Sequence, residues 1–156
     1  MNPAPRAAWT IPLADGPISA WADRLTAGVV ATAAVALTYK LAGVGPDPRG
    51  HGTHEQFGMP PCGWPEVYGV PCPTCGCTTA SAQLVHGDVI GAFVTQPFGA
   101  AVAALGLLAG AHALQCLARG RSFVDALVRL PFWGLTAGMF ALFWAAWGYK
   151  YLTWEG

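Results

Sequence analysis

Charge is what this sequence most lacks. Only 10% of its 156 residues are Asp, Glu, Lys or Arg, and the 8 acidic and 8 basic residues cancel to a formal net charge of zero. Soluble domains carry about 25% charged residues. A fold this poor in charge has too little polar surface to face water, so a soluble globular protein is excluded and a bilayer becomes the natural solvent. The even balance of signs leaves no basic patch, which excludes nucleic acid as a partner. An early apolar run is also missing. Met1 to Asp23 is broken by Pro3, Pro5, Pro12, Asp15 and Pro17, so a cleaved secretory signal is not expected and insertion as an uncleaved membrane protein is. No Ser–His–Asp set, phosphate loop or pair of carboxylates is visible, and the expectation is a protein that is not an enzyme.

What the chain does have is apolar residues, 54% of the total, gathered into blocks. A helix needs about 20 mostly apolar residues to cross the hydrocarbon core. Three segments meet that length, and they predict an all-α integral membrane protein with three transmembrane helices in one membrane domain, 1–156. The first span is 25–45, with Lys40 near its end, where a long stem reaches the interface. The second is 97–117, with Pro97 at a favourable first helical position. The third is 130–151, free of charge from Leu130 to Tyr149 and flanked by Phe132 and Trp133 at one end and Trp147, Tyr149, Tyr151 and Trp154 at the other. Such rings favour the headgroup level.

Orientation follows from Lys and Arg in the short connections. Arg6 and Arg24 precede the first span, and the 118–129 connection holds Arg119, Arg121 and Arg129. The 46–96 loop holds only Arg49, against Asp47, Glu55, Glu66 and Asp88. The N-terminus, 1–24, and the 118–129 loop are therefore expected on the cytoplasmic side, with the long loop and the C-terminus outside. Asp15-Gly16-Pro17 followed by Ile18, Trp21 and Leu25 at helical spacing also permits a short interfacial helix before the first span; an extended tail is the alternative.

The long loop carries the chemistry. Residues 45–73 are dense in Gly and Pro and read as irregular. From Cys75 onward one or two short interfacial helices are expected: Thr74 as a cap, Gly87 as a stop, Asp88 as a second cap, and Pro97 opening the second span. Four of the five cysteines, Cys62, Cys72, Cys75 and Cys77, lie within this loop. The fifth, Cys116, falls in the second span and reads as a packing residue. Three chemistries fit the cluster. A disulfide from Cys62 to one of the others would staple the loop in an oxidising compartment. A metal, zinc being the natural one, could bind Cys62, Cys72 and Cys75, with Cys77, His54 or His51 completing four ligands. A Cys-x-x-Cys at a helix start also suits thiol–disulfide exchange through Cys72 and Cys75, though no βαβ pattern surrounds it.

The stretch from Cys62 through Tyr68-Gly69-Val70-Pro71-Cys72-Pro73-Thr74-Cys75-Gly76-Cys77-Thr78, then His86-Gly87-Asp88, Ala92-Phe93 and Gln96-Pro97, resembles a family of small bacterial membrane proteins designated domain of unknown function 2752. The resemblance covers about Pro61 to Pro97. It implies a bacterial inner (cytoplasmic) membrane location and marks Cys62, Cys72, Cys75, Gly76, Thr78, Gly87, Asp88 and Pro97 as the positions that matter. Three residues depart from the family pattern: Tyr68 stands for Thr, Thr79 for Arg and Gln96 for Asn. The missing Arg bears on any role that needs a fixed cation beside the thiols.

Elsewhere, His112 lies within the second span among Gly110, Ala111 and Ala113. An intramembrane ionisable residue invites a functional reading, here as an axial ligand to haem or chlorophyll. The bland reading, a neutral His bonded within or between helices, is the expectation. Ala103, Gly106 and Gly110 on the second span, and Gly134 and Gly138 on the third, are small-residue stripes suited to close helix packing within the chain. The leading functional reading is a non-enzymatic membrane protein with a structural Cys-rich loop, acting as an accessory subunit beside other membrane-protein subunits and lipid. A zinc-binding membrane protein and a membrane thiol oxidoreductase are the alternatives.

Overall fold

A computed structural model describes residues 19–154. Among these residues the chain is all-helical and has no strand. Helix α1 spans Ala20–Ala42, α2 Gly63–Tyr68, α3 Cys77–Val85, α4 Val89–Thr95, α5 Pro97–Arg119, α6 Phe123–Val128 and α7 Phe132–Leu152, with one 3-10 turn at Thr53–Phe57. Two of them, α1 and α5, are long and apolar enough to cross a membrane. The third expected span is a single helix, α7, but it falls short of the same measure. Trp133, Trp144, Trp147 and Tyr149 have amphipathic rings, Gly134, Gly138 and Gly148 add no apolar surface, and Lys150 is charged. The count of candidate spans is therefore two rather than three. The first also begins five residues earlier than expected, at Ala20, so Trp21 and Leu25 belong to α1 itself. The rest of the suggested interfacial helix, Asp15 to Ile18, lies outside the described residues.

Helix α5 is the hub, and it packs on α1, α3, α4, α6 and α7. Small residues make this possible. A Cβ placed on Gly110 would overlap the Ala34 side chain of α1, and one on Gly99 would lie 2.6 Å from the Cys77 Cα of α3. The buried apolar residues are accordingly small: Ala27, Ala31, Ala113 and Cys116 around Phe123 in one cluster, and Ala80, Ala92 and Ala100 in the other. Large apolar side chains point outward instead, among them Ile90, Trp133 and Leu152. An interior of Ala with an exterior of Trp, Leu and Ile inverts the water-soluble pattern and matches packing in lipid, where close backbone approach replaces the hydrophobic drive. The stripe on α7 does not serve this purpose. A Cβ on Gly134 or Gly138 meets nothing within 4 Å, so the expectation that this pair packs within the chain is not met.

The two ends of the bundle are fastened differently. At one end the buried Asp23 carboxylate of α1 accepts from the Ser122 hydroxyl at 2.9 Å and from the backbone N–H groups of Phe123 and Val124 at 3.2 and 2.8 Å. It thus satisfies the free donors at the start of α6. At the other end the long loop folds over the C-terminal end of α1, the N-terminal end of α5 and the C-terminal end of α7. Trp147 Nε1 donates to the Pro71 carbonyl at 3.1 Å, Tyr149 Oη to Val94 O at 2.8 Å, and Lys150 Nζ to Gly50 O at 3.3 Å.

Candidate functional site: a three-thiol cleft

The expected pair of short helices is present as α3 and α4, with one change of cap. Thr74 does not cap α3; Gly76 does, in a left-handed conformation with φ 90°. Glycine is required there twice over. Other residues resist that φ, and a Cβ would approach the Gly50 carbonyl to 2.7 Å. Gly87 ends the helical stretch with φ 87°. Asp88 then caps α4, its Oδ1 accepting from the Gly91 N–H at 2.8 Å. Gln96 caps α5: its Oε1 accepts from Phe98 N at 2.8 Å and Gly99 N at 3.1 Å, and its Nε2 donates to the Pro73 carbonyl at 3.3 Å. One fully buried side chain therefore starts the second candidate span and pins the Cys loop to it. Pro97 occupies the first helical turn as expected.

Cys72 and Cys75 are brought together by a tight turn in which Cys75 N–H donates to Cys72 O at 3.0 Å. Cys62, just before α2, completes the group. The Sγ atoms of Cys62, Cys72 and Cys75 all lie within 4.8 Å of one another. All five cysteines are free thiols, so the Cys62 disulfide staple, one of the three chemistries open to the cluster, is not formed. The turn holds three sulfurs around a common centre instead of pressing two into contact. The triad lines a cleft of about 450 Å³ together with His51, His54 and Glu66. Cys77 does not join it. Its sulfur faces the apolar groove between α1, α3 and α5, because the first turn of α3 carries it away from Cys75. His54 shares the cleft but is not among the three clustered ligand atoms. Thr78 also lines the cleft.

The thiols differ in acidity. Burial raises the pKa of Cys72, but hydrogen bonds from the Thr74 hydroxyl and backbone and from Cys62 and Cys75 outweigh it, and the thiol is held below its ordinary value. Burial pushes Cys75 up to about 12, helped by the charges of Cys72 and Cys62. Cys62 is raised too, burial again being the largest cause. Cys77 is pushed up to about 11 by burial. The triad thus has one thiolate-prone sulfur, Cys72, whose Sγ lies 3.6 Å from the Thr74 hydroxyl. Two of the acidic residues nearby are already paired with a cation. Arg49 engages Asp47 at 2.8 Å and Glu55 at 3.1 Å.

Several supports were not legible as site residues. Thr79, at the position where the resembled family has Arg, is buried and shares a 2.9 Å hydrogen bond with Thr53 Oγ1, which also accepts from Asp47 N. Trp147 and Lys150 reach the loop from α7, over sequence separations of 76 and 100 residues, and no local pattern signals that. His112 stands apart from this site. Its Nε2 is 3.5 Å from Cys116 Sγ and its ring lies against Phe123.

Fold and site together define a class: an all-helical protein with two helices able to cross a membrane and a three-thiol cleft at one end of the bundle. More particularly, residues 62–111 match the family model described as protein of unknown function (DUF2752). That segment runs from the first cysteine of the triad to the middle of α5. No curated protein and no solved structure matches the chain.

Proposed function

We propose that this chain is a small multi-pass membrane protein that binds a soft divalent cation, zinc fitting best, through Cys62, Cys72 and Cys75. The observation that carries the reading is the convergence of three sulfur atoms within 4.8 Å of one another. A Zn–S bond of about 2.3 Å in tetrahedral geometry sets sulfur atoms about 3.8 Å apart, so closing on an ion needs only a small contraction. Thiolate donors select zinc over hard cations such as magnesium. Binding releases the thiol protons, two of them from the raised groups Cys62 and Cys75. Three protein ligands leave a fourth position facing the cleft, where His54 or water completes the set.

In this reading α7 is the third membrane crossing despite its aromatic content. The attachment of its C-terminal end to the long loop, through Trp147, Tyr149 and Lys150, supports that arrangement. Both then lie on one side of the bundle, with Asp23 and α6 at the other. The Arg distribution supports a loop outside the cytoplasm. The outward-facing Gly134 and Gly138 offer α7 a close-packing face for another membrane subunit, in keeping with an accessory role.

The test is metal content. Full-length protein purified in mild detergent without chelators is expected to carry one zinc per chain. Cys62→Ser, Cys72→Ser and Cys75→Ser each lose it, while Cys77→Ser and Cys116→Ser keep it. Wild-type protein that stays metal-free after incubation with Zn²⁺ would remove the proposal.

A further inference from the structure

Lys150 is the least explained charge among the described residues. It sits in the last turns of α7 and is only 8% exposed. A buried ammonium costs several kcal/mol unless it is paired. Yet the ion pairs among the described residues join Arg49 to Asp47 and Glu55, and Arg129 to Asp125; none includes Lys150. Its contacts are the Gly50 carbonyl at 3.3 Å and the face of Trp154, with Nζ 5.8 Å from the ring centre. Neither carries a full negative charge.

The missing anion is close by. The Gly50 carbonyl that receives Lys150 is the same one that lies 2.7 Å from the Cβ position of Gly76, and Gly76 follows Cys75 in the chain. Cys75 is one of the three sulfurs clustered within 4.8 Å of one another. The His51 ring is also at this spot, tilted against Trp154 with centroids 4.7 Å apart.

Resting on the zinc reading above, we infer that Lys150 is the fixed counter-charge of the metal-thiolate centre. A divalent cation on three thiolates carries a net charge of −1, and the buried ammonium of α7 neutralises it across the Gly50 carbonyl. Lys150 is a positioning residue and not a ligand. It makes the loaded state electrically complete and leaves the metal-free state with a buried cation that has no ion-pair partner among the described residues. It also explains why the loop is clasped by the end of a helix about 75 residues away along the chain.

The consequence is an effect of opposite sign in the two states. In Lys150→Met the apolar chain of similar length should raise the melting temperature of metal-free protein in detergent, because an unpaired buried charge is removed. The same variant should bind Zn²⁺ at least tenfold more weakly by chelator competition, the factor that about 1.4 kcal/mol of lost Coulomb attraction produces. Co²⁺-loaded Lys150→Met should keep the sulfur-to-metal charge-transfer band of wild type, since the ligands are unchanged. Lys150→Arg, which retains the charge, should recover most of the affinity. If Lys150→Met binds Zn²⁺ as tightly as wild type, or if Lys150→Arg binds no better than Lys150→Met, the counter-charge role is overturned while the zinc centre stands. Wild-type protein that takes up neither Zn²⁺ nor Co²⁺ overturns both.

Discussion

At the scale of the residue, the four loop cysteines are chemically unequal although the sequence writes them alike. Cys72 is the one whose hydrogen bonds overcome burial. Cys75 and Cys77 are held up to about 12 and about 11. Thiolate, not thiol, is the reactive form. A lowered pKa means more thiolate at neutral pH, and a raised one means less. In metal-free protein at pH 7, iodoacetamide should therefore modify Cys72 first, with Cys75 and Cys77 slower by at least tenfold, the factor that each unit of pKa difference implies while both groups stay mostly protonated. Peptide mass spectrometry over time reads the order directly, and Cys75 or Cys77 reacting ahead of Cys72 would contradict it. The same scale shows why Gln96 serves where the resembled pattern has Asn. Its side chain still caps α5 and also reaches the Pro73 carbonyl, so the departure is accommodated.

At the scale of the element, glycine in a membrane helix is decisive only where another backbone comes close. Gly110 meets Ala34 of α1, whereas Gly134 meets nothing within 4 Å. Both lie inside helices, where Ala is intrinsically better than Gly by about 1 kcal/mol. Gly134→Ala should therefore leave stability unchanged or slightly raised. Gly110→Ala should lower it by about 1–3 kcal/mol, the usual range for overpacking, because α1 must be pushed away. Unfolding in mixed micelles compares the two, and equal behaviour would mean that α1 and α5 do not approach as described. The sequence marked both stripes as equivalent. The difference between them is which helix face happens to have a neighbour, and spacing carries no information about that.

At the scale of the whole molecule, the two ends of the bundle are chemically distinct. One is the thiol cleft clasped by α7, and the other is the Asp23 cap on α6 beside Arg119, Arg121 and Arg129. If both lie at membrane surfaces, they face opposite compartments. A membrane-impermeant maleimide applied to intact cells should label Cys62 in a chain lacking its other cysteines. A cysteine placed by Arg121→Cys should be labelled only after the cells are opened. Labelling of both from one side would refute the crossing pattern. The outward-facing Trp133, Phe132 and Phe140 belong to this scale as well, since large apolar side chains gathered on one surface mark a contact with a membrane or another protein.

Composition and periodicity alone determined the helical class, the two apolar helices, the short pair α3 and α4, the cap at Asp88 and the first-turn position of Pro97. These are local properties: run length, turn chemistry and the conformational limits of Gly and Pro act within a few residues. Only the tertiary structure decided that Cys62 joins Cys72 and Cys75 while Cys77 turns away. It likewise decided that Gly110 and not Gly134 is a contact, and that Asp23, Trp147 and Lys150 hold the two ends together. Those outcomes depend on which helices meet, over separations of up to about a hundred residues, and no spacing within one segment records a neighbour in another.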